Sequence, residues 1–233
     1  MQIDQQNGFL SAEVKTRQAS IVSKAYGWMF TALAITGLTS YICGTSAAFM
    51  QLLFSSSSIM WILIISQLAI AFILIARLDK MSFTTARILF LAYAFTLGIS
   101  LSSIFLVYTM SSIASTFFIC SAMFGAMALY GHFTKKDLTS WGRILTMALI
   151  GLIIATLVNL FLQSSRIDWI CSLVGVVLFT GLTAYDAQKM RQLAYLDENE
   201  TTSKLAVMAA FSLYLDFVNL FLYLLRFFGR SDD

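Results

Sequence analysis

Seven apolar runs alternate with short polar connections along the chain, at about 25–44, 59–78, 87–108, 112–132, 143–163, 168–188 and 205–228. Each is close to the roughly 20 residues that a helix needs to cross a hydrocarbon core. The connections range from about three residues between the third and fourth runs to about sixteen in QKMRQLAYLDENETTSKL, so consecutive helices are expected to be antiparallel neighbours. Strand-sized segments of alternating polarity, the mark of a membrane barrel, do not appear. The pattern predicts an all-α integral membrane protein built as a seven-transmembrane-helix bundle. It divides the chain into a polar N-terminal tail (1–24), a single transmembrane domain (25–229) and a short C-terminal tail (230–233).

Composition agrees: 59% of the 233 residues are hydrophobic and 12% charged, against about 25% charged in an ordinary soluble domain. The opening MQIDQQNGFLSAEVKTRQAS is polar and lacks an apolar segment followed by a small-residue cleavage site, so it does not read as a removable signal. Lys and Arg fall in alternate connections. Twelve of the fifteen, including Lys24, Arg77, Arg87, Lys135, Lys136, Lys189 and Lys204, lie on one side, and only Arg166, Arg226 and Arg230 lie on the other. The positive-inside rule then places the N-terminus in the cytoplasm and the C-terminus on the opposite side. A net charge of +3 distributed this way gives no basic patch for nucleic acid. Cys43, Cys120 and Cys171 have no CxxC spacing and read as small buried hydrophobes.

Two of the apolar runs carry a carboxylate. Asp216 is about twelve residues into the last run, in SLYLDFVNLFLYLLRFFG, and Asp186 lies toward the cytoplasmic end of the sixth, in GLTAYDAQKM. An ionisable group at the bilayer centre costs on the order of 3 kcal/mol on insertion scales, so a chain that keeps one faces it inward. Ser212 at i−4 and Asn219 at i+3 share a helix stripe with Asp216. Asp186 alone is equally compatible with an interfacial carboxylate satisfied by Tyr185 or Lys189. If the two Asp meet, they cannot both ionise cheaply in a low dielectric and titrate as a unit. Such a pair is a proton sensor or a divalent-cation ligand, and calcium favours carboxylate, carbonyl and water oxygens. Tyr185, Ser212, Tyr214 and Asn219 are candidate supporting oxygens.

Other polar residues read as structural. Gln67 and Asn159 are expected to hydrogen-bond between helices, and Ser121–Gly125 and Gly98–Ser102 have the small-xxx-small spacing of helix packing. His132 falls at a helix end beside Lys135 and Lys136, and the serines at 55–58 form a polar loop. Walker, HExxH and GxSxG motifs are absent.

The stretches 98–138, GLTAYDAQKM (181–190) and SLYLDFVNLFLYLLRFFG (212–229) resemble the Bax inhibitor-1 family, in its bacterial branch. The resemblance covers nearly the whole chain. It implies six helices around a central seventh, residence in the bacterial inner membrane, and activity as a pH-sensitive calcium leak without a cofactor. It also implies that Asp186 and Asp216 form a di-aspartyl gate holding calcium transiently, and that an arginine from the second helix bridges to this pair. Arg77, in ILIARLDKMS, is the candidate for that latch. The partners implied are calcium ions, protons and the lipid bilayer. An intramembrane aspartyl protease would carry GxGD and a later proline motif, whereas this chain has LYLD and no proline, so no enzyme is expected. A non-transporting protein that modulates other membrane proteins, and a proton-coupled cation exchanger, stay open as alternatives.

Overall fold

The computed structural model describes residues 2–193 and 200–230, with side chains from residue 19 onward. Residues 194–199 of the long connection, the side chains of Lys15 and Arg17, and 231–233 of the C-terminal tail therefore lie outside the described residues. The helices are α1 (Gln2–Gly44), α2 (Ala47–Phe54), α3 (Ser57–Ala76), α4 (Phe83–Leu101), α5 (Ile104–Val107), α6 (Met110–Phe133), α7 (Thr139–Leu162), α8 (Ser165–Leu193) and α9 (Glu200–Phe228). A single 3₁₀ turn, Leu78–Lys80, follows α3.

Among the described residues seven helical segments are long and apolar enough to cross a membrane: Ala19–Gly44, Ser57–Ala76, Phe83–Val107, Met110–Phe133, Thr139–Leu162, Ser165–Leu193 and Glu200–Phe228. These are the seven expected runs. Their bounds differ from the expected ones by up to six residues, most at the start of the first span and where α8 and α9 carry their helical hydrogen bonding beyond the apolar runs into polar flanks such as QKMRQL. The backbone over 2–18 is likewise helical and continuous with the first span.

Without proline in the chain, helix ends are set by caps. Ser82 Oγ accepts the Thr85 N–H at 3.2 Å and Thr109 Oγ1 accepts the Ser112 N–H at 3.3 Å, each satisfying one of the orphan donors of a first turn. The 55–58 serines act in the same way, with Ser56 Oγ accepting the Ser58 N–H. Between α4 and α5 the hydroxyls of Ser102 and Ser103 donate back to Ile99 O and Ser100 O, at 2.6 and 2.9 Å. Back-bonding of this kind competes with the helical ladder and bends it.

Burial separates the helices. In their most apolar windows α3 and α7 are 6% buried, α8 is 44% and α9 is 56%. The large exposed side chains, such as Phe72, Phe118, Met147 and Phe161, are those of a lipid-facing surface. α9 instead buries a broad face that carries Leu213, Tyr214, Phe217, Leu220 and Leu224.

The chain falls into two compact units, Met1–Leu106 with Met190–Tyr214, and Val107–Lys189 with Leu215–Asp233. In the first, α1 and α4 approach so closely at Gly98 that a Cβ there would meet Thr36 O at 2.8 Å, which accounts for the small residue at that position. Phe90 packs edge-on against Phe211 and Tyr214, both at 5.4 Å between centroids. In the second unit Gly131 on α6 lies against the carbonyl of Ala184 on α8, Gly142 on α7 lies under the Tyr185 ring, and Gly175 on α8 lies under the Tyr223 ring of α9. Phe217 sits between Phe117 and Phe124 of α6, at 5.6 and 5.3 Å.

Candidate functional site

The second unit brings together the two intramembrane carboxylates. The carboxyls of Asp186 of α8 and Asp216 of α9 lie near enough to each other to interact directly. Ionised carboxylates are acceptors only, so a hydrogen bond between the two needs a shared proton. Asp216 is 5% exposed, and its Oδ2 is buried with no hydrogen-bond partner. Lys189, one turn along α8, is an opposite charge acting on Asp186. The result is a buried acid pair with one open acceptor.

Three helices hold the pair. Gly131 permits α6 to touch the backbone of α8 at Ala184, two residues before Asp186. Cys120 of α6, itself fully buried, donates through Sγ to the carbonyl of Phe217 at 3.6 Å, beside Asp216. Two residues beyond Asp186, the buried Gln188 accepts the Leu138 N–H through Oε1 at 2.8 Å and donates from Nε2 to Lys136 O at 2.7 Å. This amide ties α8 to the connection between α6 and α7. Gln188 was not singled out in the sequence because its partners are distant in the chain and carry no motif.

The supporting residues expected from the sequence are differently engaged. Tyr185 lies over Gly142 of α7. Asn219 Nδ2 donates to Leu215 O at 2.8 Å, within its own helix. Ser212 is partly buried. The Tyr214 hydroxyl is 2.7 Å from Thr36 Oγ1 in the first unit, and since Thr36 gives its proton to Ala94 O at 2.9 Å, Tyr214 is the donor. Arg77 is exposed at the C-cap of α3, where its backbone N–H donates to Ile73 O at 2.9 Å. It belongs to the first unit, and the pair to the second.

Gln67 behaves as expected, donating from α3 to Thr96 O and Ser100 Oγ of α4. Asn159 does not bridge helices: its Oδ1 accepts the Ser164 N–H at 3.0 Å and closes the end of α7, where Gln163 is left-handed with φ 48°. Gly125 meets no atom within 4 Å, so its small-xxx-small spacing marks no close approach.

No group of three or more His, Cys, Asp or Glu that could hold a metal occurs among the described residues. The pair can contribute two carboxylates to a calcium shell of 6–8 oxygens, leaving the remainder to carbonyls and water.

The family model described as inhibitor of apoptosis-promoting Bax1 matches residues 18–233. Inner membrane protein YbhL of Escherichia coli strain K12 is 46% identical over 212 residues, covering 90% of this chain and 91% of that protein. Protein RP147 of Rickettsia prowazekii is 48% identical over 211 residues, covering 90% and 89%. A Borreliella burgdorferi protein is 42% identical over 211 residues, covering 90% and 91%. With seven membrane-length helices and a family match over almost its whole length, the chain belongs to the Bax inhibitor-1 family and is a multi-pass integral membrane protein.

Proposed function

We propose that the protein is a calcium leak of the bacterial inner membrane whose conductance follows the protonation of Asp186 and Asp216. The observation that carries this reading is the close approach of two carboxyls, one on α8 and one buried on α9, within membrane-length helices. The name of the Escherichia coli relative supports the location. The basic connections support a cytoplasmic N-terminus, with the C-terminus opposite.

With the shared proton in place, an O–H···O bond joins α8 to α9 and the pair carries one negative charge. As pH rises and the proton leaves, the bond is replaced by repulsion between two anions in a low-dielectric site. Calcium affinity of the pair therefore rises with pH, because deprotonation adds both a charge and a free oxygen. Asp186, the more exposed of the two, is the first carboxylate such a cation meets, and Asp216 Oδ2, without a partner, is a further acceptor. Arg77 is the proposed latch that neutralises the pair in the closed state.

Purified protein in liposomes loaded with a calcium dye tests this. A leak passes calcium down its gradient with equal pH on both sides, at a rate set by that pH. Flux that requires a pH gradient would make the protein an exchanger. Absence of flux from folded protein at every pH would leave the partner-modulating role.

A further inference from the structure

In the second unit a pair of rings follows the carboxyl pair along the same seam between α8 and α9. Phe179 lies seven positions before Asp186, and Tyr223 lies seven positions after Asp216. Seven positions bring a helix back to within about 20° of the same face and advance it by about 10 Å. The rings therefore meet in line with the carboxyls, two turns toward the C-terminal end of α9. They are stacked, with centroids 5.8 Å apart and planes at 23°. Gly175 admits the Tyr223 ring, since a Cβ there would stand 2.6 Å from it. Leu182 and Leu220, each one turn from a carboxyl on the way to the rings, are buried. Beyond the rings the Arg226 guanidinium stands 5.8 Å from the Tyr223 centroid and pairs with Asp168 at 3.2 Å, and Trp169 meets Phe227 at 5.7 Å.

We propose that the Phe179–Tyr223 stack is a hydrophobic seal in series with the carboxyl pair, closing the α8–α9 seam to calcium on the side that the proposed topology turns away from the cytoplasm. This inference rests on the reading of the pair as the point where calcium passes. An ion leaving the carboxyls along the seam exchanges oxygen ligands for the side chains of Leu182 and Leu220, and then for ring carbon. Losing water against apolar walls is costly for a divalent ion, and hydrophobic constrictions close pores in this way. The Arg226 guanidinium on the far side of the rings opposes a cation further, and Asp168 holds that guanidinium in place. Tyr223, set between Gly175 and Phe179, is the ring whose removal opens the most space along the seam. The carboxyls then govern entry of the ion and the rings its exit.

The experiment is calcium influx into dye-loaded liposomes held at the pH of lowest wild-type flux, comparing the wild type with Tyr223→Ala, Tyr223→Phe, Phe179→Leu and Phe179→Tyr. Retention of the trapped dye and the thermal unfolding midpoint in detergent show that bilayer and fold are intact. Tyr223→Ala is expected to raise influx at least about tenfold, and Tyr223→Phe to stay at the wild-type rate, because the ring and not its hydroxyl makes the seal. Where the wild type shows its pH-dependent flux, a Tyr223→Ala influx equal to wild type, or a Tyr223→Phe as leaky as Tyr223→Ala, overturns the seal and leaves the leak reading standing. Wild type and every variant passing no calcium at any pH overturns the leak reading and the seal with it. Should Tyr223→Ala not fold, or release the dye, Phe179→Leu decides by the same comparison, with Phe179→Tyr as its ring-retaining control.

Discussion

The carboxyls of Asp186 and Asp216, thirty residues apart in sequence, approach each other between α8 and α9, in a unit where α6 reaches both helices through Gly131 and Cys120. The pair is sensitive to two things: its own proton and the spacing of the helices that carry it.

Asp137, in the connection after α6, is a carboxylate that should not contribute. Hydrogen bonds from the Thr139 side chain and backbone, with help from the Arg143 charge, hold its carboxyl below the usual carboxylate range. A depressed folded pKa contributes stability above the unfolded value of about 3.9, and that contribution is lost as pH falls through the folded pKa. The window lies wholly below about pH 4. Asp137→Asn is therefore expected to leave the pH profile of calcium flux between about pH 5 and 8 unchanged, as read in the liposome assay.

The spacing of α6 and α8 rests on Gly131. A Cβ there would collide with the Ala184 carbonyl, whereas at Gly125 it would meet nothing within 4 Å. Gly131→Ala is expected to destabilise the protein by about 1–3 kcal/mol. Gly125→Ala should be neutral or stabilising by up to about 1 kcal/mol, since alanine favours the helix. Thermal unfolding of the two variants in the same detergent gives the comparison, and equal midpoints would contradict the assigned close approach.

Gln188 makes a different claim. Gln188→Leu leaves Lys136 O and the Leu138 N–H without their partner, a loss of about 1–3 kcal/mol. Amide hydrogen exchange at Leu138 should accelerate relative to the wild type. Unchanged protection there would mean that the amide does not hold the connection.

Much of this arrangement was legible along the chain, for identifiable reasons. Apolar runs of membrane length report helices because nothing else satisfies the backbone in lipid, and a carboxylate inside such a run stands out by its cost. Side-chain direction was harder to read. Tyr214 lies two positions before Asp216, about 200° around the helix, and bonds Thr36 within the first unit. Asn219 shares the Asp216 stripe, yet its short amide satisfies itself on Leu215 O. Arg87 reads in sequence only as one of the basic residues that set topology, since its stacking on Trp28 depends on α1 and α4 meeting. Gly131 and Gly125 look alike until the neighbouring helix is in place.

The most direct test of the central claim is calcium influx into dye-loaded liposomes across about pH 5 to 8, comparing the wild type with Asp186→Asn, Asp216→Asn and the double variant. If the carboxyls act as one titrating unit, either single substitution removes the pH dependence and the double variant adds nothing further. A pH profile that stays at wild type in both single variants would contradict the account.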